Sequence, residues 1–363
     1  MQTIAQEPRI LGLFDHAGIL DRSARRHGAN QVSGPYRVDL LDELGYELRT
    51  VLPARGRLHR KLRDVVEHRL GLEMDMALRA MREVARADAV LAMFERRAEF
   101  VARLRRRGIP PFAGRPFWAI SCWWADEMLS MDHARRARIA RDIEGLDGLV
   151  VFSENQRAIF ADAGVPEAKI HSVDFGVDPK FYSPGPASAR RFQVFSAGVD
   201  RGRDFDSLVG AARLLPDVQF DIFTQPGRIP GSVPTNITLH APVGIVEHRD
   251  NLRAADLVVV PTHDLAYPTG QSVLLEASGC GKCVAVTSTN AMEQYFTDGV
   301  TALAMPLHDP QGIAEVVANA ISSPGLRAEI GTNARSAVEQ HYNFSRMWTE
   351  IGALITTHTN HFN

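Results

Sequence analysis

Three cysteines in 363 residues are too few for a four-thiolate zinc site, since Cys122 is the only one outside the C-x-x-C pair Cys280 and Cys283. That pair closes a helix instead of opening one, and the negative end of a helix disfavours the thiolate that a redox motif needs. The thirteen histidines include no H-E-x-x-H and no comparable paired spacing, so no metal site is expected. No apolar run approaches the roughly 18 to 20 residues that span a bilayer. The start, MQTIAQEPRILGLF, lacks a basic region followed by an apolar core, so no signal peptide is expected and the reading is a cytoplasmic protein. A net charge of -2 marks neither a nucleic-acid binder nor an acidic tail. Internal repeats and low-complexity tracts are absent as well.

What is present suits two α/β domains: 45% of the residues are hydrophobic, and the length is ample for two cores. The linker-like stretch is SPGPASARR, Ser183 to Arg191, whose Pro, Gly and Ser suit a hinge. Charge is uneven, with 21 Lys and Arg against 15 Asp and Glu in residues 1–110. Much of the positive charge lies in RGRLHRKLRDVVEHRLG, Arg55 to Gly71, and ERRAEFVARLRRRG, Glu95 to Gly108; in the first, Leu58, Leu62, Val65 and Arg69 follow helical spacing. Such a stretch is read first as the arginine-rich outer face of a domain helix, with peripheral attachment to anionic lipid left open.

The most informative stretch is Pro261 to Pro306. Before it, ADLVVV (Ala255 to Val260) reads as a strand buried on both faces of a parallel sheet. A loop with Pro268 and Gly270 follows, then a helix opening near Ser272, which itself or through a neighbour caps it. CVAVT (Cys283 to Thr287) is the next strand, completing a βαβ unit. Ligands in such sheets sit beyond the carboxyl ends of strands, at helix N-termini whose free N–H groups favour anions. Gly270, Gln271 and Ser272 therefore form a candidate diphosphate cradle. Glu276, about 6 Å further along the helix at roughly 1.5 Å per residue, is placed to accept hydrogen bonds from a vicinal diol such as a ribose; the plain alternative is a solvated carboxylate.

The segment GQSVLLEASGCGKCVAVTSTNAMEQYFTDGVTALAMP resembles the donor-binding half of GT-B glycosyltransferases, specifically the retaining family 4. VVFSENQRAIFADAGVPEAKIHSVDFGVDPKFYSP, Val150 to Pro184, is similar to the family's passage between domains, and HDPQGIAEVVANAISSPGLRAEIGTNARSAVEQHYNFSRMW to its closing helices. The resemblance implies an α/β GT-B fold, two doubly wound Rossmann-like domains facing a cleft. Their expected limits are 1–185 for the acceptor domain and 186–340 for the donor domain, with 341–363 packing back on the first. It implies transfer of a sugar, with retention, from a nucleotide-diphosphate sugar to a hydroxyl of a small-molecule, natural-product or lipid-linked acceptor. No cofactor or metal is implied. A catalytically degenerate nucleotide-binding partner, or a nucleotide-sugar epimerase or hydrolase, are the alternatives.

Residue by residue, the resemblance gives Glu276 the nucleotide ribose. The family's preceding glutamate, which contacts the donor sugar, falls on Pro268, so Gln271 or Asp264 would have to replace it. Arg201 and Arg203 lie in the loop where the family places its Arg and Lys, with Val199 on the usual arginine position; Arg203 is the firmer assignment for the leaving diphosphate. Base selection is expected around Thr262 and His240. In the first domain, Asp15, His16 and Gly34 lie on a long loop that approaches the acceptor in the family. Trp123 and Trp124 replace the family's usual histidine, either stacking on acceptor or packing in the core.

Overall fold

The structure is a computed structural model and describes residues 7–14, 35–51, 56–186 and 191–359. Its contacts divide the chain into two units, one of Asp174–Arg346 and one of the residues before and after it. The division after Val173 falls ahead of the limit at 185 drawn from the sequence.

In the first unit, six parallel strands alternate with helices. They are β1 (Arg9–Leu13), β2 (Glu47–Thr50), β3 (Ala89–Met93), β4 (Phe117–Ile120), β5 (Gly148–Val151) and β6 (Ile170–Ser172), in the order β2-β1-β3-β4-β5-β6. The helices are α1 (Leu40–Glu43), α2 (Arg57–Leu70), α3 (Asp75–Val84), α4 (Glu95–Arg106), α5 (Trp124–Ser130), α6 (His133–Glu144) and α7 (Asn155–Asp162). β3, β4 and β5 are buried throughout because helices cover both faces, which is why their sequences are continuous apolar runs without alternation. The Trp118 indole lies on Gly148 of the adjacent strand, in space that any Cβ there would occupy.

The second unit repeats the architecture with a different winding. β7 (Phe192–Ala197), β8 (Phe220–Phe223), β9 (Ile237–His240), β10 (Ala255–Val260), β11 (Val284–Thr287) and β12 (Leu303–Met305) lie in the order β12-β11-β10-β7-β8-β9. Successive strands spread outward from the adjacent pair β7 and β10, so the direction of winding reverses there. The connecting helices are α8 (Phe205–Leu214), α9 (Ile245–Ala254) and α10 (Gln271–Gly279), followed by α11 (Pro310–Ser322), α12 (Pro324–Gln340) and α13 (Phe344–Thr359). Val194, Leu208, Phe220, Leu257, Ala285 and Val317 are among the buried residues of the core between sheet and helices. From Met347 onward α13 belongs to the first unit, where Trp348 Nε1 donates to the Tyr36 carbonyl at 2.6 Å.

Two expectations change. The helix expected to open near Ser272, capped by that residue or a neighbour, starts at Gln271, and its N-cap is Gly270 in the left-handed conformation at φ 88°. The backbone turn there demands glycine, so no side chain caps the helix. The basic helix α2, read first as the outer face of an ordinary domain helix, buries none of its residues. Leu58 is 82% exposed and Leu62 64%.

At the carboxyl edge of the first sheet, the buried Glu95 carboxylate holds the turn between β4 and α5. It accepts from Ser121 Oγ at 2.8 Å and from the amides of Cys122 and Trp123. Hydrogen bonds to a charged group contribute about 1.5–3 kcal/mol each, and their loss leaves buried donors without partners. Glu95→Ala should therefore lower stability by about 3 kcal/mol in urea unfolding, with faster amide hydrogen exchange at 122–124 before exchange elsewhere in the sheet.

Candidate functional site

In open α/β sheets the loops beyond the strand reversal point part to opposite faces and leave a crevice. In the second unit this point lies between β7 and β10, and the loops leaving these two strands are zipped together. Arg203 and Thr262 form an antiparallel bridge, the Asp204 amide donates to the Pro261 carbonyl at 3.2 Å, and the His263 amide donates to the Gly202 carbonyl at 2.8 Å. This brings Arg203, Thr262, Gly270, Gln271 and Ser272 to one place, although they come from two separate segments of the sequence.

Arg203 is only 4% exposed. Its guanidinium runs past Gly198 and Gly270 in space that a Cβ at either position would fill, so both glycines are needed for its path. Nε lies 3.2 Å from Asp200 Oδ2. Asp200 also accepts from the Gly202 amide at 2.9 Å and from the Thr269 hydroxyl at 2.8 Å. Burial alone would raise the Asp200 carboxyl, but the Arg203 charge and these hydrogen bonds outweigh it and hold the group below the ordinary carboxylate range.

Four buried polar atoms on the residues around the start of α10 make no hydrogen bond: Arg203 Nε, which has only its ion-pair contact with Asp200, Arg203 Nη1, Thr262 Oγ1 and Gln271 Oε1. The Gln271 amide is anchored at its other end, Nε2 donating to Tyr267 Oη at 2.9 Å. Buried polar groups without partners cost about 1–3 kcal/mol each; at this glycine-capped helix N-terminus the Arg203 guanidinium and the Thr262 hydroxyl can donate to an oxygen-rich anion, whereas Gln271 Oε1 can only accept, as from a sugar hydroxyl. Of the two residues offered in place of a sugar-contacting glutamate, Gln271 is buried in this cluster and Asp264 is exposed. Pro268 is buried in the loop before the helix. Ser272 lies in the first turn, half-buried, and Arg201 is exposed on the loop rim, where its carbonyl accepts from Arg228.

Glu276 sits further along α10. His248 Nε2 of α9 donates to its Oε2 at 3.0 Å, and the buried Tyr182 hydroxyl is a second partner. Burial, followed by the Glu276 charge and hydrogen bond, pushes the Tyr182 hydroxyl far above its ordinary range, so it stays a donor. Arg335 fixes this surround from below: Nη1 donates to the carbonyls of Pro179, Tyr182 and Gly279 at 2.7–2.9 Å. Neither His248 nor Arg335 is legible in the sequence, because each reaches its partner from another helix. Beside the first turn of α9 runs an open, largely apolar groove of about 1050 Å³, lined by Phe192, Phe223, His240, Val243 and Ile245 among others. His240 is held there, stacked on Phe223 at 4.4 Å and paired with Asp221 at 2.7 Å.

On the acceptor side, Asp15, His16 and Gly34 lie outside the described residues. Trp124 is completely buried at the first turn of α5, which makes it a packing residue and corrects its assignment as a stacking platform. Trp123 is half-buried. Cys280 and Cys283 are buried thiols, pushed by burial up to about 12 and about 11.

A glycosyl transferase-like family model matches residues 203–353, a span that begins at Arg203 and contains Thr262, Gly270 and Glu276. The similarity to glycosyl transferases therefore lies over residues 203–353, mostly within the second unit. Among curated proteins, a D-inositol 3-phosphate glycosyltransferase from Kribbella flavida is 25% identical over 252 residues, 61% of this chain and 58% of its own length. The corresponding enzyme of Xylanimonas cellulosilytica is 31% identical over 101 residues, 28% of this chain and 24% of its own length. The chain thus spans between a quarter and somewhat over half of these two relatives. Among solved structures, sucrose-phosphate synthase from Thermosynechococcus elongatus superposes with a TM-score of 0.71 at 16% identity, covering 96% of this chain and 98% of that one. Anabaena HepE in complex with UDP gives 0.68 at 15% identity, covering 96% and 100%. These neighbours are GT-B glycosyltransferases, and the chain shares their two-domain α/β fold.

In the second unit, Gly270→Ala should be destabilising by about 2 kcal/mol or more, because an L-residue resists the left-handed turn and the new Cβ would meet Arg203 Nη1 and Val260. Denaturant titration reads this directly, and Ser272→Ala on the same turn should change stability by less than about 0.5 kcal/mol.

Proposed function

We propose that the chain transfers a sugar, with retention of anomeric configuration, from a nucleoside-diphosphate sugar to an acceptor hydroxyl. The observation that carries the reading is the cluster of Arg203 Nη1, Thr262 Oγ1 and Gln271 Oε1, buried and without protein partners at the glycine-capped start of α10. In this reading the diphosphate lies at that helix end. Arg203 and the first backbone N–H groups stabilise the negative charge that grows on the departing diphosphate, through donors already in position. Thr262 and Gly270 border it, Ser272 adds a hydroxyl to the turn, and Arg201 guards the rim. Glu276, oriented by His248 and Tyr182, takes the ribose diol, while the groove at His240 and Phe223 receives the flat face of the base.

The transition state carries oxocarbenium character at the sugar, as in glycoside cleavage. Gln271, with its amide fixed by Tyr267, is the residue we assign to the donor sugar in place of the glutamate that Pro268 displaces. Trp123, with Asp15, His16 and Gly34, is the acceptor-side assignment. Several solved neighbours support the donor class: HepE is described with UDP, with UDP and glucose, and with UDP-glucose.

Thermal unfolding in UDP, GDP, ADP and dTDP tests the donor site. One nucleotide should raise the melting temperature, with a free-energy shift of about 2.7 kcal/mol at a hundred times its Kd. The rise should survive a chelator and disappear in Glu276→Ala. No shift with any of the four at saturation would remove the reading.

A second proposal concerns α2, and the observation favouring it is the absence of any buried residue along the helix. Leu58, Leu62 and Val65 form an exposed apolar stripe with Arg69 on the same face and Arg57, Arg60 and Lys61 beside it, all likewise exposed. No helix among the described residues is long and apolar enough to cross a membrane. The pattern suits a helix lying in the surface of an anionic bilayer, apolar side down and cations among the headgroups. Vesicles containing phosphatidylglycerol should sediment the protein, vesicles of phosphatidylcholine alone should not, and Leu58→Asp with Leu62→Asp should abolish the effect without altering nucleotide binding.

A further inference from the structure

Beyond the donor site, three loops at the carboxyl edge of the second sheet bring together Asp204, His263 and His308, which follow β7, β10 and β12 respectively. One potential ligand atom from each lies within 4.8 Å of the others. We propose that these residues form a binding site for a zinc-class divalent ion, which clasps the three loops together.

The group is anchored on a buried carboxylate, with His263 half-buried and His308 half-exposed beside it. Asp204 is buried, and its carboxylate is oriented by the Ser207 amide on Oδ1 at 3.1 Å and the Ser207 hydroxyl on Oδ2 at 2.6 Å. His308 Nδ1 lies 2.8 Å from Asp204 Oδ2, and the rings of His263 and His308 have centroids 5.2 Å apart. The backbone hydrogen bonds that zip residues 202–204 to 261–263 fix Asp204 beside His263. His308 turns toward them from a residue in the left-handed region, φ 53°.

Two imidazoles and one carboxylate make the donor set of a three-ligand zinc site with its fourth position open to water. Tetrahedral bonds of about 2.0–2.1 Å put neighbouring ligand atoms about 3.4 Å apart, within the spread the three residues already occupy. The ion would replace the His308–Asp204 hydrogen bond by two coordinate bonds, and Ser207 would remain as the outer partner that holds the carboxylate. Magnesium and calcium, which require mostly oxygen ligands, do not suit the two ring nitrogens. The site lies one residue along the chain from both Arg203 and Thr262, so loading it would stiffen the loops that carry the diphosphate cluster.

Cobalt(II) gives an optical readout that needs neither nucleotide nor acceptor. The chelator-stripped full chain should bind one Co²⁺ with a visible d–d band, lose it to equimolar Zn²⁺, keep it in excess Mg²⁺, and melt at a higher temperature with Zn²⁺. His308→Gly, which favours the local backbone and removes a half-exposed side chain, should weaken Co²⁺ binding by about tenfold or more while leaving the metal-free melting temperature close to that of the parent. His263→Gln serves as a second variant with the same expected loss. Absence of a visible band in excess Co²⁺, unchanged binding in both variants, or a near-ultraviolet thiolate charge-transfer band reporting Cys280 and Cys283 instead would each overturn the assignment.

Discussion

The bridge between Arg203 and Thr262 is the constraint on which the second unit's chemistry depends. It joins the loops beyond β7 and β10, the pair at which the sheet reverses its winding, and brings Arg203 to Thr262 and the start of α10. Without it, Arg203 would be an ordinary loop arginine. With it, the guanidinium is buried between two glycines, and Asp200 is drawn in as its counter-charge. A buried arginine needs such a partner, since desolvation of a lone charge costs several kcal/mol. Yet the pairing leaves Nε and Nη1 without a hydrogen bond, and Nη1 lies next to the start of α10. A diphosphate arriving there would complete the guanidinium's hydrogen bonds and compete with Asp200 for its charge.

The two units use the same architecture in opposite ways. In the first, the turn after β4 that opens α5 is filled from within: Glu95 supplies a carboxylate to the backbone amides, and Trp124 seals the turn into the core. In the second, the helix after β10 has a glycine cap and no side-chain cap at all. A helix N-terminus carries a partial positive charge and several free N–H groups, which a protein satisfies with its own acid or leaves for a ligand. The contrast is the reason the candidate anion site is placed at α10 and not at α5.

The family match begins at Arg203 and runs to residue 353, while much of the basic, apolar-faced α2 region lies in the other unit. The division follows from physical demands. On the function proposed above, a nucleoside diphosphate presents the same phosphates and ribose whatever the acceptor, so recognisable residues concentrate where the ligand is constant. Similarity to the inositol phosphate glycosyltransferases spans up to 61% of this chain in the alignments described, and the solved structures share the fold at 13–16% identity.

Much of the fold was legible in the sequence because parallel strands buried on both faces must be apolar runs, as ADLVVV and FWAI are, and the helices between them carry their own periodicity. That Gly270, Gln271 and Glu276 share one helix and its cap was legible too, because they are close in sequence. The sequence could not reveal that Trp124 is core, because an aromatic residue at a strand end reads alike whether it faces ligand or neighbours. Nor could it show that α2 is uncovered, since amphipathic spacing states which face is apolar and not what lies against it. His248 beside Glu276, Asp200 beside Arg203, and the group of Asp204, His263 and His308 arise from loops and helices far apart in the chain. Local propensity and pattern determine elements; only the winding of the sheet, which stacks the carboxyl ends of β7, β10 and β12 along one edge, decides which distant side chains meet.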